Sequence, residues 1–191
     1  MTGASGRTLG PEAIAEVVGK LLRTNPSVLG TDIAVVAVRV VLVWIFTYYG
    51  AGKLFGWFGG PGIHRAAIFF ASTAHLHPGT LFAAIAGIIE FGAAMALAVG
   101  LLSRLAALAL FGDQVVAMST VTWIHGLNSS STSSGYEFNL TLAAMAVVII
   151  GLGAGRLSLD AVIGRHVRDS RRSEPLAAAR GVGEREGRHM P

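Results

Sequence analysis

Five ionisable side chains lie within or at the ends of long apolar stretches of this sequence. They are Arg39, Lys53, Glu90, Asp113 and Glu137. Glu90 is the only charged residue of the stretch AIAGIIEFGAAMALAVG, residues 84–100. Inside a lipid layer such a charge costs about 2.5 kcal/mol or more, so it normally faces the protein interior and pairs. The chemistry open to these groups is proton handling or the binding of a polar ligand, because a buried carboxyl titrates away from its ordinary range.

A purely structural interpretation of the same charges stays open. Arg39 together with one or both acids could lock the helices into one packing, because a buried ionic group can specify register without any chemistry. However, one Arg faces two carboxyls, so that either one acid holds a proton or water enters. The residue types and their positions support both interpretations equally.

The composition indicates that the surroundings of these charges are a membrane. Of the 191 residues, 52% are hydrophobic and only 14% are charged, and the mean hydropathy is +0.60. An ordinary soluble domain of this length is less apolar. Spans of about 20 apolar residues cross a hydrocarbon layer of roughly 30 Å, and they must be helical because lipid offers the backbone no partners. The sequence predicts an all-α fold, a four-helix transmembrane bundle with spans at residues 33–54, 80–102, 105–124 and 138–157.

The flanking segments predict the orientation. Residues 1–32 form a cytoplasmic segment with a short amphipathic helix over 11–24, residues 33–157 form the membrane domain, and residues 158–191 form a basic, largely disordered cytoplasmic tail. Twelve of the fifteen Lys and Arg residues flank one side of these spans. The positive-inside rule therefore predicts a multi-pass protein of the inner (plasma) membrane with both termini in the cytoplasm. No aromatic residues accompany the basic tail in a stacking pattern, so nucleic-acid binding is not predicted.

The absence of cysteine excludes several kinds of chemistry for the chain alone. Thiol–disulfide exchange, iron–sulfur clusters and thiolate zinc sites all require Cys. The six His lie in loops or in the tail, and no metal site or covalently bound cofactor is predicted. A redox role would have to use a bound cofactor or a partner.

Residue counting from the ends of the spans predicts two charge clusters. Arg39, Glu90 and Asp113 fall in the inner-to-middle layer of the membrane, and Lys53 and Glu137 fall near the outer surface, at 1.5 Å per residue. Glu90 shares one helical face with small residues that let helices approach closely in lipid, namely Ala83, Ala86, Gly87, Ala93 and Ala94. We therefore expect Glu90 to point at a neighbouring helix. Asp113, Ala117 and Thr120 define a similar face on the third span.

The segment YYGAGKLFGWFGGPGIHR, residues 48–65, contains six glycines. Glycines in this number permit a tightly packed backbone. The segment is compatible with a re-entrant turn or with the close approach of a ligand.

The order of several motifs resembles the DoxX family. An Arg in the first span is followed by GAGKLFGWFGGPG, EFGAAMALAVGLLSRLAAL, IHG, YEFNL and GAGRLSLD, over roughly residues 33–160. The resemblance implies an inner-membrane protein related to the small subunit of thiosulfate:quinone oxidoreductases, associated with complexes of oxidative stress and thiol homeostasis. It transfers no catalytic residue, and the polar motif positions fall on Arg39, Lys53, Glu90, His125, Glu137 and Asn139.

Three hypotheses about function follow. The first is a membrane subunit of a redox complex with a pocket for a quinone or a small anionic ligand; Lys53, His125 and Glu137 line its outer part and Arg39, Glu90 and Asp113 lie beneath. Whether the chain is itself an enzyme or a non-catalytic or accessory subunit of an oxidoreductase stays open under this hypothesis. The second is a non-catalytic anchor or assembly factor that recruits soluble partners. The third is a small proton-coupled transporter. The expected partners are the lipid bilayer, other membrane or soluble redox proteins, and further copies of the chain.

Overall fold

The computed structural model describes residues 27–128 and 134–166, together with Gly10, Glu12 and Glu16. Its helices are α1 (Val28–Phe55), α2 (Gly62–Ser72), α3 (Gly79–Val99), α4 (Ser103–Ala117) and α5 (Glu137–Leu152). A π-helical turn, Met118–Thr122, and a 3-10 turn, Trp123–His125, continue α4. Residues 159–166 are also helical, and no strand occurs among the residues that the structure describes. The prediction of an all-α fold is confirmed.

Three of the described helical segments are long and apolar enough to cross a membrane: Val28–Phe55, Gly79–Val99 and Ser103–His125. The fourth predicted span corresponds to α5, which is apolar but has only 16 residues. It is about 24 Å long, against roughly 30 Å for the hydrocarbon layer. The predicted end of this span at residue 157 is wrong, because the helix ends at Leu152. Whether α5 crosses the membrane stays a prediction.

Four helices pack in a ring, in which α3 contacts α1 and α4 while α5 contacts α4 and α1. The shorter α2 packs against α3 and α1. One end of the ring, where α1 and α4 begin and α3 and α5 end, we call the clasp end; the opposite end we call the cavity end. The buried face of α3 consists of Gly79, Ala83, Ala86, Gly87, Glu90, Ala93, Ala94 and Leu97. The predicted packing face around Glu90 is therefore confirmed.

The contact between α1 and α3 is close because Gly50 lacks a side chain. A Cβ atom at Gly50 would lie 2.5 Å from the backbone nitrogen of Phe91. This contact places Gly50 at the level of Phe91, although Gly50 is only five residues from the end of α1 and Phe91 is twelve residues from the start of α3. At 1.5 Å per residue, α1 ends roughly 10 Å short of the cavity end of α3.

The glycine-rich segment after α1 folds back over the last turn of α1, on the side of the cavity end. A Cβ atom at Gly60 would lie 2.4 Å from the Cα atom of Gly52, so two backbone segments are in direct contact there. A 3-10 turn, Trp57–Gly59, and then α2 follow. The tight backbone packing that the glycines indicate is present, whereas α2 was not predicted, because it is only eleven residues long and lies in a stretch interpreted as a loop.

Residues 153–160, which we call the clasp, close the opposite end of the ring. The Nη1 atom of Arg39 donates hydrogen bonds to the carbonyl oxygens of Ala154 and Leu157, both at 2.9 Å. The backbone nitrogen of Arg156 lies 3.4 Å from Asp32 Oδ1, and its side chain forms an ion pair of 3.8 Å with the same carboxylate. The clasp thus joins the start of α1 to the end of α5.

Asp160 in the clasp caps α4 from a distant part of the chain. Its two carboxylate oxygens accept hydrogen bonds from the backbone N–H groups of Leu102, at 2.8 Å, and Ser103, at 2.9 Å. Partial burial alone would raise the pKa of Asp160, but hydrogen bonds from Ser103 and Leu102 outweigh it and hold the pKa below its ordinary value. A carboxylate at a helix N-terminus is stabilised by the free N–H groups and by the helix dipole.

The predicted terminal segments fall largely outside the described residues. Of the predicted amphipathic helix over 11–24, only Glu12 and Glu16 are described, and both are helical. Residues 158–166, which were assigned to the tail, include the buried Ser158 and the helical residues 159–166. Residues 167–191 lie outside the described part of the chain.

Candidate functional site

A cavity of about 510 Å³ lies at the cavity end of the ring. It is bounded by α1, α3, α4 and α5 and covered by residues of α2. Much of its wall is aromatic, formed by Phe46, Tyr49, Phe69, Phe70, Phe82 and Phe138. Sites for small organic ligands usually have volumes of roughly 300–1,000 Å³ and mostly apolar walls with a few polar groups. This cavity has both properties.

The polar part of the cavity contains an ion pair between Lys53 Nζ and Glu90 Oε1. The Glu90 residue is only 4% exposed, and Asp113 lies beside it. The ammonium group of Lys53 also lies 5.8 Å from the centre of the Tyr49 ring, within cation–π range. Because an ammonium and two carboxyls share one apolar enclosure, their charges strongly influence one another.

A chain of hydrogen bonds leads from the cavity end to Asp113. The hydroxyl group of Thr122 donates to Asn139 Oδ1 at 3.2 Å, and Asn139 Nδ2 donates to Gln114 Oε1 at 2.9 Å. Gln114 Nε2 then donates to Asp113 Oδ2 at 3.0 Å. Every donor in the chain points towards Asp113, which therefore serves as its terminal acceptor. Such a chain fixes the orientations of both amides.

The second oxygen of Glu90, Oε2, is buried, and no N–H or O–H group of the described residues donates to it. The neighbouring Asp113 is also a carboxyl, and two carboxyls can hydrogen-bond only when one of them holds a proton. One Lys facing two acids leaves one negative charge without a counter-charge. The cluster can therefore accept a proton or a donor group of a ligand.

The structure corrects both predicted pairings of charges. Arg39 does not join Glu90 and Asp113, because its guanidinium group reaches the clasp and donates to two carbonyl groups there. Lys53 pairs with Glu90 instead of the predicted Glu137. The reason is that α1 ends roughly 10 Å before the cavity end of α3. The Gly50 contact therefore brings the last turns of α1 to the level of the middle of α3.

The remaining predicted residues lie at different places. Asn139 lines the cavity and belongs to the hydrogen-bond chain. Glu137 lines a shallower recess next to the cavity, together with Tyr49. His125 is exposed at the end of the 3-10 turn and is not among the residues that line the cavity. A role for any of them in ligand binding stays a prediction.

Sequence reasoning did not single out two residues of the hydrogen-bond chain, Gln114 and Thr122, both of which are buried. Gln114 carried a recognisable signal, because it is an uncharged amide within an apolar span and directly follows Asp113. The π-helical turn Met118–Thr122 carried none in the sequence, yet Thr120 and Val121 from this turn line the cavity. Single π-helical turns within α-helices are frequent at functional sites.

Among the described residues, no group of three His, Asp or Glu side chains is arranged to hold a metal ion. The cavity combines apolar walls with cationic, carboxyl and amide groups at one side.

Residues 34–126 match the family model DoxX. The matched segment runs from α1 to the residue after the 3-10 turn, and includes Lys53, Glu90 and Asp113. No curated protein and no solved structure matches the chain significantly.

Proposed function

Since this chain belongs to the DoxX family through residues 34–126, we propose that it is a membrane subunit of a redox-related complex that holds a quinone-type ligand in its cavity. The family match and the three apolar helices indicate an integral membrane protein. The observation that carries the finer proposal is the cavity of about 510 Å³, with aromatic walls and one cluster of buried polar groups. A quinone likewise combines apolar parts, which are its tail and its ring faces, with two polar carbonyl oxygens.

The residues present fit such a ligand. The Lys53 ammonium and the amide of Asn139 are hydrogen-bond donors that line the cavity, and a quinone carbonyl oxygen is an acceptor. Aromatic side chains of α2, Phe69 and Phe70, provide flat apolar surfaces against which a ring or a prenyl tail can pack. When bound, a quinone supplies two-electron redox chemistry that the side chains of this chain lack.

The carboxyl pair gives the proposed site a second property. Glu90 and Asp113 share one counter-charge, Lys53, so one of the two carboxyls can hold a proton at the wall of the cavity. A proton held there can form a hydrogen bond to the carbonyl oxygen of a bound ring. Because the chain has no Cys, we expect electrons to come from partner proteins, which gives this chain an accessory role.

Ligand binding can be tested on protein purified in a mild detergent. We expect organic extraction of the wild-type protein to release quinone in excess of what co-purified membrane lipid contains. Titration with a short-tailed quinone, followed by quenching of tryptophan fluorescence, should give saturable binding. Glu90→Gln and Lys53→Met should each weaken binding about tenfold, because each removes a charged partner from a buried cluster.

The control for this experiment is Glu12→Gln, which makes the same chemical change at an exposed side chain of the N-terminal segment. Variants should first elute as a single species in size-exclusion chromatography, so that weak binding is not confused with unfolding. Absence of enriched quinone, together with equal affinities of wild type and Glu90→Gln, would contradict the proposal.

A proton-coupled transporter is the second candidate. It is favoured by the hydrogen-bond chain that runs from Thr122, near the cavity end, to Asp113, which lies beside the buried Glu90. In proteoliposomes this candidate requires a proton flux that Glu90→Gln abolishes. Equal flux in wild type and variant would count against it.

An anchor or assembly role is the third candidate, and it depends on the terminal segments rather than on the cavity. A pull-down from native membranes, with absorbance spectra of the eluate, would identify redox partners, further copies of the chain and coloured cofactors in one experiment. Loss of all partners on deletion of residues 1–26 and 167–191, with quinone binding retained, would favour the anchor role.

We also infer that the clasp end faces the cytoplasm and that α5 is the fourth span. The support is the excess of Lys and Arg on this side: Arg104 lies in the first turn of α4, and eight Arg residues lie from position 156 onwards. An even number of spans then places both termini on the cytoplasmic side of the inner membrane.

A further inference from the structure

Arg39 has no carboxylate partner within the described part of the chain. It is the twelfth residue of α1, and only its Nη1 atom makes hydrogen bonds, to the carbonyl oxygens of Ala154 and Leu157. The nitrogen atoms Nε and Nη2 have no acceptor among the described residues. Carbonyl groups satisfy part of the hydrogen-bonding capacity of a guanidinium group, but they do not neutralise its charge.

The acids near Arg39 are engaged elsewhere. Asp32 pairs with Arg156, and both carboxylate oxygens of Asp160 accept backbone N–H groups of α4. A further cation, Arg104, donates to the carbonyl oxygen of Gly151. The described side chains around the clasp therefore carry more positive than negative charge, and an anion from outside the protein would balance it.

Arg39 also stands at one end of a groove of about 620 Å³ on the outer face of the ring. The other residues that line this groove are Val40, Val43, Trp44, Tyr48, Phe58 and Ala98, with Thr47 between them. The groove follows α1 over ten residues, from Arg39 to Tyr48, which corresponds to about 14 Å. Trp44 is 77% exposed, so this surface faces away from the helix ring and towards surrounding lipid.

We propose that this groove binds an anionic phospholipid, with the phosphodiester group on the free N–H groups of Arg39 and one acyl chain along α1. A guanidinium group binds phosphate oxygens through charge-assisted hydrogen bonds, which are stronger than those to uncharged acceptors. The apolar groove that starts at the same residue selects a phosphate that carries a hydrocarbon chain over free phosphate. Arg39 does not line the quinone cavity, so this site does not depend on the proposed function.

The test is native mass spectrometry of the full-length protein in detergent with equal amounts of dioleoyl phosphatidylglycerol and dioleoyl phosphatidylcholine. We expect the wild type to retain phosphatidylglycerol about tenfold better than phosphatidylcholine. Both lipids carry the phosphodiester group, but the choline cation of phosphatidylcholine cancels its charge, so only phosphatidylglycerol brings the net negative charge that balances Arg39. Arg39→Gln should lose this preference. Arg65→Gln is the matched control, because Arg65 likewise donates to a backbone carbonyl, that of Pro61, but lies at the start of α2.

A second variant tests the groove without changing Arg39 or its hydrogen bonds to the clasp. Ala98 is exposed and lines the groove, so Ala98→Phe fills it and leaves the hydrogen bonds to Ala154 and Leu157 in place. We expect Ala98→Phe to reduce retention of phosphatidylglycerol while its unfolding temperature without added lipid stays that of the wild type. Equal retention of both lipids by the wild type, or unchanged retention in both variants, would overturn the proposal. Protection against heat by inorganic phosphate as strong as that by phosphatidylglycerol would also overturn it, because it would indicate a site for free phosphate.

Discussion

The most direct test of the architecture is the substitution Gly50→Ala. The added Cβ would lie 2.5 Å from the backbone nitrogen of Phe91 and 2.9 Å from its Cβ atom, whereas ordinary contacts begin near 3.4 Å. A backbone nitrogen cannot rotate away as a side chain can. The helices α1 and α3 must therefore separate by about 1 Å along this contact, and the Lys53 ammonium, one helical turn further on, moves away from Glu90.

The expected cost follows from this overlap. An overpacked helix contact destabilises a protein by about 1–3 kcal/mol. Ala is a better helix former than Gly by roughly 0.5–1 kcal/mol, which offsets part of the loss. For a chain of this size, 1 kcal/mol shifts the unfolding temperature by about 2–4 °C. We therefore expect Gly50→Ala to lower the unfolding temperature in detergent by several degrees and to weaken binding of quinone.

The matched control is Gly92→Ala in the middle of α3. A Cβ atom at this position meets nothing within 4 Å, so only helix propensity changes and the unfolding temperature should stay the same or rise. Both variants should be measured by thermal unfolding in the same detergent. If Gly50→Ala is as stable as Gly92→Ala, the close contact between α1 and α3 does not exist as described, and the position of Lys53 beside Glu90 loses its explanation.

Three further predictions concern the charges and the orientation. Lys53→Met should destabilise the protein by about 3–5 kcal/mol, because it leaves the buried acid Glu90 without its partner. The double variant Lys53→Met with Glu90→Gln should recover part of this loss in thermal unfolding. A double variant no more stable than Lys53→Met would contradict the pairing. The pKa of Asp160 is depressed in the folded state, so its contribution to stability is fully present above its ordinary value of 3.8 and is lost as the pH falls through the lower folded value. Asp160→Asn removes the negative charge at the start of α4 and leaves one of the two backbone N–H groups without its acceptor, so we expect a stability advantage of Asp160 of about 1 kcal/mol at pH 7. This advantage should disappear in strong acid, and an advantage independent of pH would exclude this origin. Because the chain has no Cys, single substitutions can report topology: in intact cells an impermeant maleimide should label Ser134→Cys but not Gly10→Cys, and the opposite pattern would reverse the proposed orientation.

The stretch around Glu90 shows how far sequence patterns reach. The small residues at three- and four-residue spacing predicted the buried face of α3, and the structure places the same residues there. A helical face is a local property of period 3.6, so it can be predicted from one segment alone. The partner of Glu90 is not a local property, and the sequence pattern predicted Arg39 where the structure has Lys53.

The wrong pairing has a definite physical cause. Counting residues from the ends of the spans assumes that all helices end at the same level. The contact of Gly50 with Phe91 instead places the end of α1 roughly 10 Å below the cavity end of α3. Lys53 thereby reaches Glu90, and the space above α1 is covered by α2, which bears two of the aromatic residues of the cavity wall.

The sequence by itself determined that this is a helical membrane protein, which residues are buried on α3, and which titratable groups lie within the apolar segments. These properties follow from composition and periodicity, because the bilayer imposes length and polarity on each segment separately. Only the tertiary structure decided which charges meet, because this depends on contacts between distant parts of the chain: Arg39 reaches carbonyl groups of Ala154 and Leu157, more than a hundred residues away. The same long-range packing separates Arg39 from Glu90 and Asp113, and places these two acids together with Lys53 at one cavity.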